Sequence, residues 1–121
     1  MNTKLLGRWG ESLAASFLKN NGFSITAISY KCRFGEIDII AENKKFIVFT
    51  EGKLRKNKDF GRASEFVGLE KQRKIISSAQ IYLASNETYK QPRFDVIEIY
   101  APDGLNTVNP VVNHIENAFG E

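Results

Sequence analysis

Asp38, Glu51 and Lys53 stand in the pattern Asp-x12-Glu-x-Lys, and residues of these types at this spacing can do chemistry on a phosphate. A hard divalent cation such as Mg2+ takes oxygen ligands at about 2.0–2.1 Å and keeps several waters, so one or two carboxylates suffice from the protein. A lysine two residues beyond the second carboxylate points to the same side of a strand. There its ammonium can orient a water or offset charge on a pentavalent phosphorus. The same residues also describe an ordinary cross-strand Glu–Lys pair, which contributes little. Spacing alone leaves both readings open.

The elements that position these residues are two strands, Ile37 to Ala41 and Phe46 to Leu54, both rich in β-branched and aromatic residues. The short polar stretch Glu42-Asn43-Lys44-Lys45 makes them an antiparallel hairpin. With Asn43-Lys44 as a two-residue turn, Glu42 pairs with Lys45 and Asp38 lies opposite Phe49, diagonal to Glu51. Asp38, Ile40, Ile47, Phe49, Glu51 and Lys53 then share one face. In that register Glu36 lies across from Glu51, as a metal neighbour or a solvated rim charge.

Around the hairpin the periodicity predicts a helix from about Thr3 to Asn21, with Leu5, Leu6, Trp9, Leu13 and Phe17 on one stripe and Gly22 placed to end it. A second stripe of small residues, Gly7, Ala14, Ala15 and Leu18, carries Glu11 in its middle, either as a site carboxylate or as a surface acid near the positive end of the helix dipole. Phe23 to Tyr30 reads as a first strand, Ser64 to Ser85 as a second helix, and Pro92 to Tyr100 as a fourth strand before a Pro102-Asp103-Gly104 turn. The stretch from Asn113 to Phe119 fits a short helix or an extended tail. The order α-β-β-β-α-β implies an α/β fold with a mixed central sheet flanked by helices.

The 121 residues suit one domain spanning 1–121, and 42 % apolar composition supports a core. A net charge of +3 names no partner, but its distribution is uneven. From Glu51 to Lys74 eight basic residues face four acids, so the whole excess lies just after the acidic pair. Phosphates leaving that site would meet Lys53, Arg55, Lys56, Lys58, Arg62, Lys71 and Arg73, each neutralised phosphate adding about 0.9 to the salt slope on duplex DNA. A solvated loop and helix face is the plainer alternative. Tyr30 and Phe34, beside Lys31 and Arg33, are candidates for base stacking. The single Cys32 excludes an internal disulfide and a cysteine zinc cluster, which makes the cytoplasm the expected compartment. Apolar runs fall well short of the roughly 20 residues that span a bilayer, and Arg8 and Glu11 interrupt any signal-like start, so no membrane partner is expected. Neither Cys32 nor His114 has partners at a useful spacing.

Several motifs in one order carry a resemblance: Gly7-x-x-Gly10-Glu11, Cys32-Arg33-Phe34-Gly35-Glu36-Ile37-Asp38-Ile39-Ile40-Ala41, Val48-Phe49-Thr50-Glu51-Gly52-Lys53, Tyr82-Leu83, Arg93-Phe94-Asp95-Val96 and His114-Ile115-x-Asn117-Ala118-Phe119. Along nearly the whole chain these resemble the YraN-type uncharacterised bacterial proteins. That family is similar in turn to the restriction-endonuclease-like, PD-(D/E)xK nucleases, which include Holliday-junction resolvases and share the order α-β-β-β-α-β. The resemblance implies that Asp38 and Glu51 bind Mg2+ or Mn2+, that Lys53 is the catalytic lysine and that Glu11 assists as a further acidic ligand. It adds Lys71 and Gln72 of helix two as active-site neighbours, DNA as the partner, and a homodimer as the form that cuts paired strands.

This sequence departs from the pattern at Gly52, where the family usually has a β-branched apolar residue, and at Thr50. Glycine weakens a strand and often marks a bulge, which here would turn Lys53 off the shared face. Ser29 stands where asparagine is common. The leading expectation is a metal-dependent DNA nuclease. The alternative is a nucleic-acid-binding protein of the same fold that cuts little, working in a repair or recombination assembly.

Overall fold

The computed structural model describes residues 7–55 and 67–120. Its order is α1 (Gly7–Asn20), β1 (Ser24–Cys32), β2 (Gly35–Glu42), β3 (Phe46–Arg55), α2 (Leu69–Ser85), β4 (Gln91–Tyr100), a 3-10 turn at Gly104–Asn106, and β5 (Val111–Phe119). The five strands form one sheet in sequence order. β3 and β4 run parallel, with α2 as the crossover, and the other neighbours are antiparallel. The expected α/β architecture with a mixed sheet is therefore present, extended by a strand. No helix among the described residues is long and apolar enough to cross a membrane.

The strands read as they do because their side chains alternate between two apolar surfaces. Ile39, Ala41, Val48, Leu54, Ile97 and Ile99 pack with Ala14, Ala15 and Leu18 of α1. Ile40, Ile47, Phe49 and Val96 pack with Ile75, Ala79 and Tyr82 of α2. The helices thus cover opposite faces. The surface that α1 buries is the small-residue stripe, Gly10, Ala14, Ala15 and Leu18, while Trp9, Leu13 and Phe17 are only half-buried. A helix lying flat on a sheet needs small side chains beneath it, and the larger ones pack at its flanks. Gly22 ends α1 as its position predicts: at φ +89 it donates to the Lys19 carbonyl, and Phe23 N–H reaches the Leu18 carbonyl.

Two expectations change. The β2–β3 connection is longer than a two-residue turn: Asn43 Oδ1 accepts from the N–H groups of Lys45 and Phe46, and Glu42 pairs with Ile47. Phe49 therefore faces Ile40 and not Asp38. The shift is two residues, an even number, so β3 keeps its faces; in β2 the alternation breaks at Asp38, since Ile37 packs with Ile40 on the α2 side while Ile39 packs on the α1 side. The C-terminal stretch is neither helix nor tail but the edge strand β5, paired along β4 from Tyr100↔Val111 to Phe94↔Phe119. Residues 56–66, which hold Lys56, Lys58, Arg62 and Phe66, lie outside the described residues, as do Leu5 and Leu6.

Candidate functional site

β2 and β3 pair as far as Ile39↔Thr50. One step further along the same register Asp38 and Glu51 come side by side, which is closer than the diagonal placement a two-residue turn implies. There the ladder gives way to a side chain: Gly52 N–H donates to Asp38 Oδ2 at 2.8 Å. Asp38 is 7 % exposed and Glu51 2 %. Glu36 is displaced from its expected place and pairs with Lys31 on β1.

The bulge that Gly52 suggested does not form. β3 and β4 stay in continuous parallel register through Glu51↔Val96, Gly52↔Ile97 and Lys53↔Glu98, so Lys53 keeps the face of Glu51. Pairing with a parallel neighbour on its other side holds β3 straight while its β2 side opens. Lys53 Nζ lies 3.9 Å from Glu51 Oε2. Burial pushes the Lys53 ammonium below its usual value; Glu51 draws it up, Lys71 and Arg55 press it further down, and Asp38 opposes them. The downward influences prevail.

Lys71, in the first turn of α2, brings Nζ to 2.9 Å from Glu51 Oε2. The contact is an ion pair, and among the described residues that buried oxygen accepts no hydrogen bond. Carboxylate oxygens buried in this way are costly unless satisfied. Two adjacent carboxylates with an under-satisfied oxygen are the hard oxygen donors that a divalent cation takes. Among the described residues no group of three or more His, Cys, Asp or Glu side chains is placed to hold a metal ion.

The other expected residues fall into place around it or away from it. Glu11 is held at the edge of the sheet by Ser29, whose hydroxyl donates to Glu11 Oε2 at 2.8 Å. It lies on the α1 face, and its charge is not among those that act on Lys53. Gln72 turns back to its own helix start, donating from Nε2 to the Val67 carbonyl at 2.7 Å. Arg73 is exposed, and with Leu69, Gln72 and Ile76 it lines a groove along the outer side of α2. Arg55, expected among the phosphate contacts, sets its Nε 3.2 Å from Glu98, a fully buried carboxylate that also accepts from Asn113. Tyr30 likewise does not reach outward, standing edge-on to Tyr82 at 5.3 Å in the α2-side core. Arg33 and Phe34 are exposed at the β1–β2 tip.

The sequence reading missed the partners of His114. On the α1 face Asp95 is fully buried and accepts two hydrogen bonds from Arg93, at 3.0 and 2.9 Å, one from Asn117 N–H at 3.0 Å, and shares one with His114 Nε2 at 2.8 Å. Arg93 lies over Phe46, and His114 stands edge-on to Phe17 and Phe23. An inward-facing Arg-x-Asp on an apolar strand was the available signal.

Ser29, at φ 55, occupies the left-handed region that asparagine tolerates better than most residues.

The family model described as "Uncharacterised protein family UPF0102" matches residues 10–99. A UPF0102 protein of Caldanaerobacter subterraneus is 47 % identical over 120 residues, covering 98 % of each chain. One from Caldicellulosiruptor bescii is 46 % identical over 98 % of this chain and all of its own. A Clostridium botulinum relative is 42 % identical over 96 % of this chain and 94 % of its own. The span matched by the family model contains Glu11, Asp38, Glu51, Lys53 and Asp95, and stops short of His114.

Proposed function

The chain belongs to the uncharacterised protein family UPF0102, and from that premise we propose that it is a metal-dependent nuclease hydrolysing phosphodiester bonds in DNA. One observation carries the reading. Asp38 and Glu51, 13 positions apart in sequence, stand on neighbouring strands beside a desolvated lysine, with a buried Glu51 oxygen that no hydrogen bond satisfies.

Asp38 and Glu51 are the residues that would hold Mg2+ or Mn2+. A divalent cation bound there polarises a phosphate oxygen and lowers the pKa of a water. Gly52 N–H fixes the Asp38 carboxylate beside β3. Lys53, close to Glu51, would offset the negative charge that develops on the phosphate oxygens in the transition state, in a setting little shielded by water. Lys71 pairs with Glu51 and holds it in place. Arg73 adds an exposed positive charge on α2 for a phosphate backbone to follow, and Lys56, Lys58 and Arg62 come soon after Lys53 in the sequence. The alternative of a binding protein that cuts little drew its support from a bulge at Gly52, and β3 carries none.

The test is incubation of the purified protein with single-stranded, duplex, flap and four-way-junction DNA in Mn2+, Mg2+ or chelator. Cleavage that needs metal and falls about 100- to 1,000-fold in Asp38→Ala and in Lys53→Ala supports the reading. Cleavage surviving both substitutions refutes the site. Salt-sensitive binding without cleavage in any metal supports the binding-only alternative.

A further inference from the structure

The tip of the β1–β2 hairpin has a composition that neither the turn nor the core explains. Cys32 pairs with Gly35, so Arg33-Phe34 is a two-residue connection. Such connections favour Asn-Gly or Gly-x, because positive φ is wanted in the loop. Here neither Arg33 nor Phe34 has positive φ, and Gly35 takes the unusual conformation at φ +145. Phe34 is 41 % exposed and belongs to neither core cluster. The Arg33 guanidinium lies 5.0 Å from the Phe34 ring centroid, which keeps a cation against an aromatic face at an exposed tip.

The tip also has a definite relation to the acidic pair. Phe34 directly precedes β2 and stands four residues before Asp38, a span of about 13 Å. That is the length of roughly three to four stacked nucleotides at about 3.4 Å each. The base of the hairpin is tied to α2, the helix of Lys71, by Cys32 Sγ donating to Ser78 Oγ at 3.2 Å. Tip and site are therefore parts of one rigid arrangement.

Resting on the nuclease reading above, we infer that Phe34 with Arg33 is a stacking platform for an unpaired base of a DNA strand, about three to four nucleotides from the phosphate held at Asp38 and Glu51. Aromatic rings beside cations stack bases with little regard to sequence. In a continuous duplex the base faces are already stacked on one another and are reached only at the cost of unstacking. The platform thus favours strands with free base faces, as in single-stranded DNA, flaps and junction openings, over uninterrupted duplex.

The experiment compares parent, Phe34→Ala and Phe34→Trp by fluorescence anisotropy with a single-stranded oligonucleotide and the matching duplex, in chelator, and by Mn2+-dependent cleavage of a flap substrate. The expected result is about tenfold weaker single-strand binding in Phe34→Ala, with duplex binding unchanged. Phe34→Trp restores the affinity, and its added emission is quenched by the single strand and not by the duplex. Equal single-strand affinity in parent and Phe34→Ala overturns the inference, and metal-dependent cleavage by both then leaves the nuclease reading standing. A parent protein that binds no DNA overturns both together. Because Phe34 lies outside the core, unchanged melting temperatures confirm that the variants fold.

Discussion

Two clusters of buried charge sit on opposite faces of β3, β4 and their neighbours, and they are built in opposite ways. On the α1 face, Asp95 has every need met: four hydrogen-bond contacts, from Arg93, His114 and the Asn117 backbone, inside a collar of aromatic rings. On the α2 face, Glu51 has an oxygen with a counter-charge but no hydrogen bond, and Lys53 is desolvated with its partner 3.9 Å away. A saturated network rigidifies, because breaking any member leaves a buried charge alone. An under-satisfied one stores a demand that a ligand can meet. Residues of the same chemical types therefore have opposite expected roles: the first holds β4, β5 and α1 together, and the second waits for a cation and a phosphate.

The largest stability effect expected from this contrast is at Asp95. Asp95→Asn leaves Arg93 buried with only Glu116 at 3.8 Å, and should cost about 3–5 kcal/mol in urea or thermal unfolding. A loss below about 1 kcal/mol would erase the distinction between the clusters. The same residue sets an acid limit. Burial pushes the Asp95 carboxyl up, but hydrogen bonds from His114, Arg93 and Asn117, with the charge of Arg93, outweigh burial and hold it below 3.8. The unfolded chain then binds the proton more readily, so Asp95 contributes fully above the unfolded value and its contribution drains away as pH falls through the folded one. Unfolding curves at neutral pH and near pH 3 should show the parent losing more of its stability than Asp95→Asn.

A smaller effect of the opposite sign is expected at Lys53. Lys53→Met removes a desolvated ammonium while keeping the length of the side chain, and Lys71 still faces Glu51. The variant should gain about 0.5–2 kcal/mol, the usual return from relieving a functional site, while losing metal-dependent cleavage. A variant as destabilised as Asp95→Asn would mean that Lys53 is part of a structural ion pair.

Which parts of this were legible in the sequence follows from the same physics. Alternating apolar residues announced β2, β3 and β4, and the carboxylates on them, because both faces are covered by helices. The register was misjudged because it depends on Asn43, whose side chain captures the Lys45 and Phe46 N–H groups and lengthens the turn. The even displacement kept Phe49, Glu51 and Lys53 on the α2 face of β3, and the Gly52 N–H contact keeps Asp38 beside them although the alternation of β2 breaks there. β5 was hidden because two of its half-buried residues are polar: Asn113 bonds Glu98 and His114 bonds Asp95, so its pattern lacks the apolar alternation of a strand. Arg55 read as a surface cation because the carboxylate that claims it, Glu98, lies 43 positions away. Local pattern finds elements. Partners across the sheet decide which charges are free.

The central claim is that Asp38 and Glu51 together bind one divalent cation, and Mn2+ titration followed by calorimetry or by electron paramagnetic resonance addresses it without any substrate. The account predicts saturable binding of Mn2+ by the parent, lost in Asp38→Asn and in Glu51→Gln and unaffected in Asp95→Asn under conditions where all three are folded. Absence of saturable binding, or binding that persists unchanged in Asp38→Asn and Glu51→Gln, would contradict it.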